Sequence, residues 1–164
     1  MSPSIEFSDS PSAQLPEKMM ALIVEQERLN NAARSRSRSI ARMKAGYYVL
    51  RAPTGYKYAK DKSGRGGKVL IRDEPVATIS AGALEKFASG IYGSQAEIKR
   101  HLEGHPAFPK GTSGRIGKSR VKDMLTKPVY AGYIEQSEWG IALTRANHDP
   151  LISFETYSKI QKRL

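Results

Sequence analysis

His101, His105 and His148 are the only three histidines of this 164-residue chain, and no cysteine accompanies them. A metal held by these residues would need carboxylate help, and Gly104 and Pro106 place His105 outside any helix that carries His101. They therefore read as loop and surface histidines, and no metal ligands are expected. Serine is abundant, but no G-x-S-x-G elbow appears and no histidine–acid pair stands ready to activate a hydroxyl. The carboxylates are scattered, so paired acid–base work is not indicated either. The glycines of Asp61-Lys-Ser-Gly-Arg-Gly-Gly67 lack the G-K-[ST] ending of a phosphate loop and read as turn residues. No catalytic residue and no cofactor are expected from these patterns.

What remains is positive charge. Lys and Arg number 27 against 16 acids, a net charge of +11. The excess is not spread evenly: residues 1–27 carry −4, residues 28–72 carry +12, and residues 73–164 carry +3. A single-sign block of that size repels itself in a compact state, and a phosphate backbone is the simplest partner that cancels it. Within it, Arg34, Arg38 and Arg42 are spaced i, i+4, i+8 and make one cationic ridge along a helix. Lys44, Arg51 and Lys57 continue the charge. Further on, Arg115 and the short stretch Lys118, Ser119, Arg120 and Lys122 offer side chains that bond phosphates and base edges. Absence of cysteine fits a reducing compartment. No apolar run approaches the roughly 18 residues of a spanning helix, and no signal-peptide pattern opens the chain, so a cytoplasmic protein without a membrane role is expected.

The elements that must position these cations follow from periodicity. Residues 1–16, rich in Ser and Pro, read as a flexible lead-in. A long helix is expected over 17–45, with Pro16 at its start, Met19, Leu22, Ile23, Leu29, Ala33, Ile40 and Met43 near one face, and Gly46 as its stop. Its narrow apolar stripe points to self-association or to docking on another domain. Residues 46–164 then read as one small domain. Pro53 and Gly55 force an extended linker. Tyr56–Lys60 and Lys68–Arg72 form a hairpin with a basic tip. A helix runs from Glu74 to Gly90, another from Ser94 with a capping box to Glu97, and a third over Gly117–Leu125. Val129–Glu135 and Trp139–Thr144 form a second hairpin, and Ser153 caps a last helix with Phe154, Tyr157 and Ile160 inward. The fold class is α+β, mainly helical: a long N-terminal helix followed by a small helical domain with short β-hairpins.

The order of these features resembles the large serine recombinases, also called serine integrases. Glu25-Gln-Glu-Arg-Leu-Asn-Asn-Ala-Ala-Arg-Ser-Arg36 looks like the end of their catalytic domain and the long helix leaving it. Gly46-Tyr-Tyr-Val-Leu-Arg-Ala-Pro-Thr-Gly-Tyr56 is similar to the junction that opens their recombinase domain. Met124-Leu-Thr-Lys-Pro-Val-Tyr-Ala-Gly-Tyr-Ile134 and His148-Asp-Pro-Leu-Ile-Ser-Phe-Glu-Thr-Tyr157 resemble later signatures. The match runs from about residue 9 to the end. The resemblance implies the double-stranded DNA-binding part of a bacterial or phage enzyme for integration, inversion or excision of DNA. Its nucleophilic serine would lie in an N-terminal domain of which this chain keeps only the last helix. The resemblance also implies that Arg28 supports DNA near the crossover site, and that Arg51 and Tyr56 lie on or near a minor-groove path, as arms of smaller relatives do. Two other readings compete: a basic RNA-binding protein that stacks bases on its tyrosines, and a helix-mediated interaction module whose charge is incidental.

Overall fold

The computed structural model describes residues 11–64 and 67–164, with side chains from residue 14. Residues 1–10, most of the expected lead-in, and Arg65 and Gly66 of the hairpin tip lie outside the described residues. The chain divides into two compact units at residues 39 and 40. The fold is mainly helical α+β, as the sequence indicates.

Helix α1 covers Pro11–Lys44, so it begins six residues before Glu17 and encloses Pro16. A proline near a helix start loses one backbone hydrogen bond, and its fixed φ is already helical, so Pro16 need not mark the first residue. In the first unit every described side chain from residue 14 to 38 is exposed, including Met19, Leu22, Ile23 and Leu29. In the second unit the last turn of α1 buries Met43 completely. The helix stops because Gly46 adopts φ +88, the left-handed conformation that glycine enters without a Cβ penalty. Asn147 seals this end: its Nδ2 donates to the Ala45 carbonyl at 2.9 Å and its backbone N–H to the Gly46 carbonyl at 2.9 Å.

Strands β1 (Tyr56–Lys60) and β2 (Lys68–Arg72) pair antiparallel as the expected hairpin, with Tyr56 opposite Arg72 and Lys60 opposite Lys68. Helices α2 (Val76–Ala88), α3 (Gln95–Gly104) and α4 (Lys118–Thr126) come next. The α3 cap differs slightly from a closed capping box. The Ser94 hydroxyl accepts from the Glu97 N–H, while the Glu97 carboxylate accepts from the Gly93 N–H rather than from Ser94. The second hairpin is shorter than the alternation suggests. Pro128–Ala131 is a 3-10 helix, β3 is Tyr133–Gln136, Ser137–Trp139 is a second 3-10 turn, and β4 is Ile141–Arg145. Pro128 has no N–H to donate to a ladder, and Val129, Tyr130 and Ala131 are all buried. Such an all-buried run is incompatible with a one-sided strand.

Helix α5 (Phe154–Arg163) carries the expected Ser153 cap, with the hydroxyl accepting from the Thr156 N–H at 3.0 Å. Ile160 is fully buried, but Phe154 is 41% exposed, which corrects its assignment to the inward face. One core joins α2, α3, α4, α5 and the first hairpin through Leu84, Phe87, Ile98, Leu102, Phe108, Val121, Leu125, Tyr130 and Ile160. A smaller one gathers Met43, Ile134 and Ile141.

Two glycines report oppositely on this packing. A Cβ at Gly46 would sit 3.0 Å from the Asn147 amide and hold a strained φ, whereas one at Gly82, inside α2, would meet nothing within 4 Å. Gly46→Ala is expected to lower unfolding free energy by about 1–2 kcal/mol, and Gly82→Ala to raise it by roughly 0.5–1 kcal/mol. Urea unfolding of the two variants checks the opposite signs.

Candidate nucleic-acid interface

The linker after α1 is held from both sides. Tyr58 donates its hydroxyl to the Leu50 carbonyl and lies 3.2 Å from the Tyr48 carbonyl oxygen. At the other end Gly55, with φ +92, is packed against Leu151 and the α2 backbone at Ala77, and its carbonyl accepts from the Asp73 N–H at 2.9 Å. A side chain at Gly55 would meet Leu151 at 3.0 Å. The segment Arg51–Gly55 thus runs over the surface at a fixed height and forms one wall of a cleft of about 470 Å³.

The opposite wall is built from α4 and the residues just beyond its C-terminus: Ser119, Arg120, Asp123, Lys127 and Tyr130, with Pro109 and Asp73 at the edges. The α4 N-terminus is capped by Gly117 without any side-chain bond, so its first backbone N–H groups and the positive end of its dipole stay available to an anion. Val121, Met124 and Leu125 face the core. That leaves Lys118, Ser119 and Lys122 exposed and Arg120 half-buried. The two acids of the cleft are already partnered, Asp73 by Lys57 at 3.0 Å and Asp123 by Lys127 at 3.1 Å. Arg120 donates to the Pro109 carbonyl at 2.5 Å. Arg51 is exposed and has no hydrogen-bond or ion-pair partner among the described residues.

The structure therefore brings Arg51, Tyr56, Ser119 and Arg120 around one cleft. It does not bring all the expected residues there. Lys118 lines a separate groove between α3 and α4, with Lys99, Arg100 and Glu103. Arg115 is exposed in the loop before α4, where its carbonyl accepts from the Gly111 N–H at 2.9 Å. Lys44 and Lys57 are exposed on α1 and β1. Arg42 is half-buried and engaged within its own unit. It donates to the Lys68 carbonyl at 3.1 Å, stacks 4.8 Å over the Tyr47 ring, and closes on Gly67. Arg28, Arg34 and Arg38 are exposed in the first unit, and Arg28 holds Glu25 with two bonds of 2.8 and 2.7 Å. Lys127 was missed by sequence reading, although it stands seven residues after Arg120 and so on the same helical face.

Tyr56 lines the cleft with little of its surface accessible. Its ring is 5% exposed and its hydroxyl donates to the Asp149 carbonyl at 2.9 Å. Its neighbours are Tyr130, with ring centroids 6.1 Å apart, and His148, at 5.2 Å edge-on. Burial pushes the Tyr56 phenol well above its ordinary pKa, and the same cause raises Tyr48 to about 12. His148 is not a surface histidine either. It is 7% exposed, with Nε2 2.7 Å from the Val129 carbonyl oxygen, and burial depresses its pKa despite that hydrogen bond.

With this geometry in place, comparison with known proteins identifies the family. The family model described as Recombinase matches residues 83–164, half of the chain. The chain belongs to the Recombinase family. A crystal structure of an LSR–DNA complex aligns with TM-score 0.59 and 20% identity over 79% of this chain and 38% of that one. A structure concerned with the sequence requirements of the Listeria innocua prophage attP site aligns with TM-score 0.60 and 20% identity over 79% of this chain and 50% of that one. The chain thus spans half or less of the length of the proteins whose fold it shares. No curated protein matches it in sequence. The resemblance to large serine recombinases holds at the level of family and fold.

The aromatic cluster gives two expectations. Tyr56→Phe keeps the ring and loses one hydrogen bond, so it is expected to destabilise by about 1 kcal/mol; Tyr56→Ala is expected to cost about 3–5 kcal/mol. Urea midpoints of both variants test the assignment of Tyr56 to the core. For His148, the folded pKa lies below the unfolded value of about 6.5, so the unfolded chain binds its proton first. Stability is fully present above that pH and falls as pH drops through it. His148→Gln is expected to flatten the decline in urea midpoint between about pH 7 and 5.

Proposed function

We propose that this chain binds double-stranded DNA and serves site-specific recombination as part of a serine recombinase, with the nucleophilic serine supplied from outside the residues present here. The observation that carries the proposal is the cleft in which a linker with fixed backbone, ending in Arg51–Gly55, faces the open N-terminal half of α4. Two basic elements some seventy residues apart in sequence are positioned beside each other, and both present the groups that phosphates and base edges require. The linker suits a narrow groove, where concentrated negative potential favours arginine. Helix α4, through Ser119, Arg120 and Lys122, suits base readout. Affinity comes chiefly from the +12 stretch, including Arg34, Arg38 and Lys44. The fold shared with the protein of the LSR–DNA complex supports this reading. The exposed face Met19, Leu22, Ile23 and Leu29 is a docking surface for a second copy or a catalytic domain.

Competitive binding to a random duplex library and to single-stranded RNA, over a salt series, tests the proposal. A duplex motif is expected to be enriched. Arg51→Ala is expected to reduce the slope of log K against log salt by about 0.9, the contribution of one phosphate. Lys122→Ala is expected to weaken binding, while Lys159→Ala on α5, paired with Glu155, leaves it unchanged. Equal or tighter binding to the RNA, or indifference to Arg51→Ala and Lys122→Ala together, would overturn it.

A further inference from the structure

Two hollows flank helix α4. On one side Ser119, Arg120, Asp123 and Lys127 line the cleft shared with the linker. On the other, Lys118 and Val121 line a groove of about 450 Å³ whose far wall is α3. There Ala96, Lys99, Arg100 and Glu103 are spaced i, i+3, i+4 and i+7 and so share one face of their helix. Lys122 lines neither hollow. Four residues after Lys118 and three after Ser119, it stands on the crest of α4 between the two.

The groove has an apolar floor, at Ala96 and Val121, and a rim in which Lys99, Arg100 and Lys118 stand against a single carboxylate. That carboxylate is already engaged. Glu103 accepts from the Ile116 N–H at 2.8 Å and lies 3.7 Å from the Lys99 ammonium, so it fastens the loop before α4 and steadies the lysine. Arg100 and Lys118 are exposed, and their side chains have no hydrogen-bond or ion-pair partner among the described residues. Cationic side chains of this kind rest their stems on an apolar floor and hold their charge at the solvent edge.

A duplex presents phosphates on both flanks of a helix that enters it. The major groove is about 12 Å wide and a helix with its side chains about 10–12 Å across, so one strand runs along each side of the helix. The cleft between linker and α4 serves the strand that separates the minor groove from the major. The cations of the other hollow are placed for the opposite strand. We propose that Lys99, Arg100 and Lys118 bind backbone phosphates of the DNA strand across the major groove from the linker. The inference rests on the reading of this chain as a duplex-binding module and adds a contact from α3 to it. Arg100 is the anchor, because a guanidinium grips two phosphate oxygens at once, while the two lysines act as point charges beside it. Such a contact is blind to sequence and sets the position of α4 in the groove.

The test is fluorescence anisotropy of the full chain with a labelled mixed-sequence duplex over a salt series. Lys99→Ala combined with Arg100→Ala is expected to reduce the slope of log K against log salt by about 1.8, the contribution of two phosphates, and Arg100→Gln alone by about 0.9. Lys99→Arg combined with Arg100→Lys keeps both charges and is expected to retain the parent slope. Circular dichroism establishes that each variant is folded, and Arg100→Gln, at an exposed side chain without a partner, carries the test if the double variants unfold. A folded Arg100→Gln variant with the parent slope, while Arg51→Ala still lowers it, would overturn this inference and leave the proposed function standing. A parent chain without affinity for the duplex would overturn both. Polyglutamate binding that is lost in the double alanine variant, with duplex binding unchanged, would assign the groove to an acidic protein partner and overturn the inference as well.

Discussion

Burial of the Tyr56 ring is the constraint on which the arrangement of the second unit depends. The residue ends the linker and begins β1, yet its hydroxyl is bonded to Asp149, more than ninety residues further along. Its ring is packed on Tyr130 in the 3-10 helix and on His148 in the loop before α5. Three segments distant in sequence therefore close on one side chain. Because the backbone on either side of a buried aromatic has little freedom, Arg51–Gly55 must run over the surface beside α4. Gly55 makes this possible, since any Cβ there would strike Leu151. The leucine that comes after Pro150 also belongs to the knot: its N–H and that of Ile152 both donate to the Tyr130 carbonyl, at 2.9 and 3.1 Å. This is a hydrogen-bonded seal around a buried aromatic cluster, and removing either component leaves buried polar groups unpaired.

Charge placement is a separate matter from charge count. A net charge of +12 over residues 28–72 suggests a uniform basic surface. The structure divides those cations into working classes. Arg42 fastens the first hairpin to the end of α1, and Lys57 and Arg72 hold Asp73 and Glu74 beside β2. Arg28 is held by Glu25, an exposed pair worth little to stability but enough to bias the arginine's position. Arg34, Arg38, Lys44 and Arg51 remain exposed and open to solvent. The cations left exposed and unpaired are thus fewer than the sequence total.

The periodic elements were legible before the structure. The pairing of β1 with β2, the Ser94 and Ser153 caps, the stop at Gly46 and the approximate limits of α4 all follow from local chemistry: turn glycines, hydroxyl caps, and a proline two residues beyond α4. Features that depend on the third dimension were not. Tyr56 carries both a ring that belongs in a core and a hydroxyl that suits a surface, and only its distant partner Asp149 decides between them. Phe154 looks inward by spacing, but with the rings of Tyr133 and Tyr157 at 4.7 and 5.9 Å between centroids it still remains exposed. The alternation over Val129–Glu135 suggests a strand from Val129 onward, and the buried 3-10 segment that replaces its start has no signature of its own. For the histidines, spacing correctly puts His105 outside α3; what spacing cannot show is that an extended cap folds it back.

Helix α4 is held in place by more than its own residues. With Lys118–Thr126 it is only nine residues long, too short to be stable on its own. Its C-terminal carbonyls are instead satisfied from α5: Tyr157 donates to Thr126 at 2.9 Å and Gln161 to Leu125 at 2.6 Å. Its N-terminal approach is fixed by Glu103 at Ile116, and the Pro109 carbonyl holds the Arg120 guanidinium. Side chains of α5 and α3 and the Pro109 carbonyl thus set the angle at which Ser119 and Lys122 are presented. Because the helix is positioned from outside, its exposed residues are not needed to hold it in place. The placement of Ser119 and Lys122 resides as much in α5 and the loop after α3 as in the helix that carries them.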